Sequence, residues 1–358
     1  MSVSAPKRSA SLRAPSFRLR TSAQAQLSHD GTRLAQLSQR LVVWDVASRS
    51  VSFEGKLIAN EHEVALSPDG RTLVVKGRGG ELVFLDVDTR SEISRSTHSP
   101  YDHSGVQPAF SPDVRHLFDV QHDATIRLFE VSSGKELARH VHFDFFSRNL
   151  VVARGTGDCY VDFGKRGERH GGSQLMRFPG MDVSRAELVP CRVEEYAVDG
   201  VGMHVGVFAV DAAGRRLVMA VDGRACSRPN ALVVLDLVGG GTRVIELPSS
   251  DLDVRSIVVT DDGLIAASIH DFQAGTPKHL RSPEDDHIHF YDAASGDLLA
   301  RWFWHGVWNL SHSPVTGAFA IGGSRAPGGA LLAEAPLTLE GAEWLAAHPC
   351  NRAIGGTG

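Results

Sequence analysis

Cysteine is scarce. The four cysteines among 358 residues, at 159, 191, 226 and 350, include no Cys-x-x-Cys pair. This argues against a zinc ribbon, a dithiol redox pair or a disulfide framework, and they read as reduced, mostly packed thiols. No apolar run of about 18 or more residues occurs, so no spanning helix and no membrane partner are expected. The start lacks the apolar core of a secretory signal, and a cytoplasmic location is the expectation. Acids are missing from the first 29 residues, which hold Lys7, Arg8, Arg13, Arg18 and Arg20. Since the net charge is −5, the rest of the chain is more acidic than that figure, which argues against nucleic acid as a partner. No Gly-x-Ser-x-Gly elbow occurs, and the glycine runs Gly77-Arg78-Gly79-Gly80 and Gly239-Gly240-Gly241 join strands rather than open helices. Helix periodicity is almost absent. No catalytic residue and no cofactor is assigned.

What is present is a repeat. LSHDGTRLA (27–35), LSPDGRTLV (66–74) and FSPDVRHLF (110–118) each join two apolar runs through a Ser-x-Asp turn, with the aspartates at 30, 69 and 113. The spacings of 39 and 44 match a propeller blade, whose period is about 40 to 45 residues with four strands per unit. Worn copies occur at 210–220, 259–269 and 310–321, and FFSRNLVVA (145–153) is read as keeping only the turn serine and the return strand. Third strands are expected at 41–46, 81–87, 125–131, 174–178, 231–237, 287–293 and 329–333. Their near-continuous Val, Ile, Leu and Phe runs suit strands covered on both faces. The fold class is therefore all-β, a single seven-bladed propeller of four-stranded antiparallel blades.

The third unit, PAFSPDVRHLFDVQHDATIRLFEVSSGK (108–135), and the Trp44-Asp45 pair closing the first unit's third strand resemble the WD-repeat family of β-propellers, including bacterial SPDG-type repeats. The resemblance covers nearly the whole chain and implies a closed ring.

Three segments are expected: a disordered basic arm at 1–15, the propeller at 16–340, and a tail at 341–358 with a short helix at 340–348 stopped by Pro349. Closure needs a strand on the last blade, since an open edge invites association. Ser16 to Ser22 is the first choice for it, and Ala335 to Glu340 the competitor.

First-to-second and third-to-fourth turns share the bottom of such a ring, while second-to-third loops and blade crossovers share the top. The long loops expected at 154–173, 222–230 and 270–286 place the working face on top, because strand pairing does not require them. Twelve of the 17 histidines are placed in top loops or crossovers, among them His140 and His270, whereas His29 and His312 fall in bottom turns. The candidate partner-binding residues are His62, His103, His142, His204, Arg255, His305 and Trp308, at the crossovers into innermost strands. The expected role is non-enzymatic: a monomeric scaffold or docking module that takes a protein or peptide partner on its top face. The alternative is a metal-dependent hydrolase or oxidase with histidine ligands at the channel mouth. No metal ligand is assigned, as no short-spaced histidine pair lies at the axis.

Overall fold

The computed structural model describes residues 24–332, apart from 39, 59–60, 98–105, 121–124, 143–144, 166–172, 192, 199–201, 204, 224–225, 249–251, 272–285, 304–306 and 324–329. The basic arm, the two competing closure segments and the C-terminal helix lie outside these residues. The chain is an all-β propeller. Six antiparallel sheets have four strands each, ordered as in the sequence, with innermost strands Gln24–Leu27, Glu61–Leu66, Ala109–Phe110, Phe145–Ala153, Val205–Val210 and Leu252–Val259. These are blades 1 to 6.

The expected count of seven four-stranded blades is corrected to six. Besides a two-stranded sheet of Ala197–Val198 and Gly202–Met203, one further sheet has three strands among the described residues, Val307–His312, Phe319–Gly323 and Ala330–Leu332. It packs against blade 6 through Val258, Phe290, Val307 and Phe319, and against blade 1 through Leu27, Leu34, Ala318 and Ala320.

Burial follows position in the blade. The second strand of blade 2, Thr72–Gly77, is buried at every residue because neighbouring blades cover both its faces. The outermost strand of blade 3, Glu136–Val141, instead alternates between half-buried and exposed, as a strand covered on one face should. The cores lie between blades: Leu37, Val43 and Phe53 of blade 1 interlock with Val64, Leu73 and Val83 of blade 2.

The Ser-x-Asp-Gly signature is a hydrogen-bonded turn. In blade 2 the Ser67 hydroxyl donates to Asp69 Oδ1 (2.6 Å) and accepts from Thr72 N (2.9 Å), while Arg71 N donates to Asp69 Oδ1 (3.1 Å). Gly70 takes φ +68, which glycine adopts without a Cβ penalty. Blade 1 repeats this with Ser28, Asp30 and Gly31, and blade 3 with Ser111 and Asp113. Blade 3 holds Val114 at φ 64, so the serine and aspartate can enforce the turn without glycine where space permits. At Gly31 space does not permit it: an added Cβ would overlap the Thr316 side chain and stand 2.9 Å from Ser313 Oγ, across the junction with the three-stranded sheet. Gly31→Ala is expected to cost about 1–3 kcal/mol in chemical denaturation. Gly180→Ala, also at positive φ but with nothing within 4 Å of its Cβ, should cost less.

Blade 4 departs from the reading at 145–173. Phe145–Ala153 is its innermost strand, Arg154–Gly157 the bottom turn and Asp158–Lys165 the second strand. The stretch expected to be one long top loop is therefore mostly turn and strand, and Ser147 is a buried strand residue rather than a turn serine. The turn here is closed by Gly157 N donating to Ala153 O (2.8 Å), a shape that lacks the serine and aspartate by which the others are recognised.

Candidate functional site: the channel and its two ends

The innermost strands surround a cavity of about 230 Å³. Its wall takes Gln26, Leu66, Phe110, Val152, Val210, Val258 and Leu310 from the six blades and the three-stranded sheet. Most of its lining residues come from the lower halves of these strands or from the bottom turns, as with His29, Arg154, Asp261, His312 and Pro314, while Gln107 and Pro108 join it from the entry to the innermost strand of blade 3. Of the candidate partner-binding residues among the described ones, His62, His142 and Arg255 do not line it.

At the top, the structure places His62, Arg255 and Trp308 at equivalent positions. Each stands five residues before its turn residue, which is Ser67, Thr260 and Ser313 respectively. Each is also the residue skipped where its innermost strand slips register against the second strand: between Glu61 and Glu63, between Val254 and Ser256, and between Val307 and Asn309. A bulge takes one residue out of the ladder and re-aims it. His62 is half-buried, its Nδ1 lying 3.2 Å from Glu63 Oε1 without hydrogen-bond geometry, and its carbonyl accepts from Gln24 Nε2 (3.3 Å). Arg255 Nε lies 3.0 Å from Asp253 Oδ2, with both side chains about one-third exposed or more.

His142 does not share that position. It precedes the innermost strand of blade 4, donates through Nε2 to Gln174 Oε1 (3.0 Å), and packs 4.5 Å from the Phe145 ring and 4.6 Å from the Phe163 ring. Its neighbour His140 lies in a strand rather than a crossover, edge-on to Phe178 at 5.4 Å. His270 is likewise at the end of a strand, Leu264–Asp271, and most of the long loop expected there lies outside the described residues. His103, His204 and His305 lie outside the described residues. The loop at 222–230 is tied down by Asn230, which accepts from Gly223 N (2.9 Å) and donates to Leu252 O (2.7 Å).

Among the described residues no group of three His, Cys, Asp or Glu side chains is placed to hold a metal. His287 and His289 share one face of their strand, with rings 5.8 Å apart. His289 is buried against Tyr291, with Nδ1 2.9 Å from the hydroxyl oxygen. Burial also raises the Cys159 thiol well above its ordinary value and the Cys191 thiol to about 11, so neither is a nucleophile at neutral pH.

The bottom cluster is not apparent in the sequence. The basic member, Arg154, sits in the one turn without the repeat signature, and the two histidines belong to turns that the loop-length argument sets aside. The turns there form a linked rim: Asp30 N donates to Pro68 O (3.1 Å), Gly155 N to Ala212 O (2.6 Å), Ala213 N to Asp261 Oδ1 (2.9 Å) and Ser313 Oγ to His29 O (2.7 Å).

No protein-family model and no curated protein sequence matches the chain. Solved structures do resemble it. The β-propeller domain of Cps50 (Swd1) from Myceliophteria thermophila superposes with TM-score 0.63 at 12% identity, covering 90% of this chain and all of that one. Hydrazine synthase of Kuenenia stuttgartiensis gives TM-score 0.64 at 12% identity, covering 90% of this chain and 97% of that one. At such identity the likeness is one of fold.

Proposed function

We propose that the chain is a non-enzymatic propeller of the WD-repeat-like kind that binds a protein or peptide partner across its top face. The observation that carries this reading is the shared bulge at His62, Arg255 and Trp308. Three residues of types suited to contact occupy one register at one end of the ring, each where a strand gives up a ladder position. Arginine and tryptophan are enriched where binding energy concentrates.

The combined variant His62→Ala, Arg255→Ala should retain its melting temperature, because neither side chain is in a blade core. Against a protein partner isolated by affinity capture on the wild-type chain, its affinity should weaken by about tenfold or more, the usual weight of one central contact. Equal capture by both proteins would remove this face from the proposal.

A further inference from the structure

The lower end of the channel carries a buried guanidinium that no carboxylate meets in a direct ion pair among the described residues, although Asp30 acts on it from further off. Among the described residues no carboxylate pairs with Arg154, and its Nη1 is buried without a hydrogen-bond partner. His29, on the same cavity wall, has a buried Nδ1 that is likewise unpartnered. The nearest acids are engaged elsewhere: Asp30 Oδ1 accepts from the Ser28 hydroxyl (2.6 Å) and Thr32 N (2.9 Å), and Asp261 Oδ1 from Ala213 N (2.9 Å). Burial lowers the Arg154 guanidinium to about 10, against the pull of Asp30, so it stays charged at neutral pH. Burial and then the charge of Arg154 depress His29, with Asp261 and Asp30 opposing. Burial holds His312 down to about 4. One fixed positive charge thus faces the cavity beside two neutral imidazoles. Leaving a buried guanidinium nitrogen without a hydrogen-bond partner is costly, and a carboxylate in the cavity would offset that cost.

We propose that the lower end of the channel binds a small monocarboxylic acid, its carboxylate held by the Arg154 guanidinium and flanked by the rings of His29 and His312. The charge state selects a monoanion: there is one cation, and Asp30 and Asp261 beside it oppose the second charge of a phosphate or dicarboxylate. The size is set by the cavity, whose roughly 230 Å³ matches a handful of waters at about 30 Å³ each. Leu66, Phe110, Val152, Val258 and Leu310 line the space above the arginine and suit a short aliphatic tail. This site lies at the opposite end of the ring from the proposed partner face and does not depend on it.

The test is calorimetric titration of the full chain with propionate and, at matched ionic strength, with inorganic phosphate. Saturable propionate binding is expected, with phosphate weak or silent. Arg154→Met should weaken propionate by about tenfold or more, the weight of a charge-assisted hydrogen bond. In the wild-type chain propionate should also shift the ring resonances of His29 and His312 and leave those of His289 unmoved, which keeps the test decisive should the variant not fold. Absence of saturable propionate binding, phosphate binding as tight as propionate, equal affinity in Arg154→Met, or unmoved His29 and His312 resonances would each overturn the assignment.

Discussion

Lys76→Met should lower the free energy of unfolding by about 3–5 kcal/mol, the largest effect expected of a single substitution in this ring. Lys76 lies in the second strand of blade 2 and Asp119 in the second strand of blade 3, with the ammonium 2.8 Å from Asp119 Oδ1 and 3.0 Å from Val120 O. The side chains are 2% and 0% exposed, so both charges have been taken out of water. Their attraction repays that desolvation only while both are present. Removing the cation withdraws the buried carboxylate's charged partner and also a donor to the Val120 carbonyl. The combined variant Lys76→Met, Asp119→Leu should recover most of the loss, since a matched apolar pair can replace a buried ion pair at little cost. Urea denaturation of the two variants checks this. Should the single variant lose less than about 1 kcal/mol, the range of exposed pairs such as Arg95–Glu92, the pair does not hold the blades together.

The propeller is legible in the sequence because its signature is local. A serine, an aspartate two residues on and a glycine specify the turn through hydrogen bonds within about six residues, and the apolar strands on either side pair outward from it. Thus Ser28, Ser67 and Ser111 give the period directly. Where the turn is made otherwise the sequence misleads: at Arg154–Gly157 no serine or aspartate marks the turn, and Ser147 imitates one from within a strand. The number of complete blades is not legible, because a strand's partner at ring closure is set by chain segments far apart in sequence. The top-face site is visible in part, as residue types at strand entries, but equivalence among them depends on bulges, which shift register by one residue without a composition signal. His142 stands five places before a false turn, whereas Arg255 and Trp308 keep the spacing of His62. The channel's lower end is hidden for a further reason. Arg154, His29 and His312 come from blade 4, blade 1 and the three-stranded sheet, and only ring geometry brings them to one cavity.

Stability should fall as pH is lowered from about 6.5, well before carboxylates begin to titrate. His289 is 3% exposed, and burial, then the charges of Arg301 and His287, take it from the ordinary 6.5 to about 3. His312 is taken to about 4 by burial, with Asp262 and Asp261 opposing and His29 assisting. Between those values and 6.5 the unfolded chain binds protons that the native ring refuses. Unfolding therefore takes up protons, and stability rises with pH across the interval. The His289 ring alone would contribute a loss on the order of 3 kcal/mol between pH 7 and 4. Carboxylates act in a lower window. Backbone amides of Ser48, Thr89, Gly239 and Ser295 hold Asp45, Asp86, Asp236 and Asp292 below the ordinary 3.8. Their contribution is complete above that value and disappears as pH falls through the lowered ones. Melting temperatures recorded from pH 8 to 4 should thus decline mainly below 6.5, and His289→Phe should flatten the decline. The variant also deprives the Tyr291 hydroxyl of its partner, so the slope with pH and not the absolute stability is the readout. A slope unchanged in His289→Phe and in the double variant His289→Phe, His312→Phe would show that these rings do not govern the acid response.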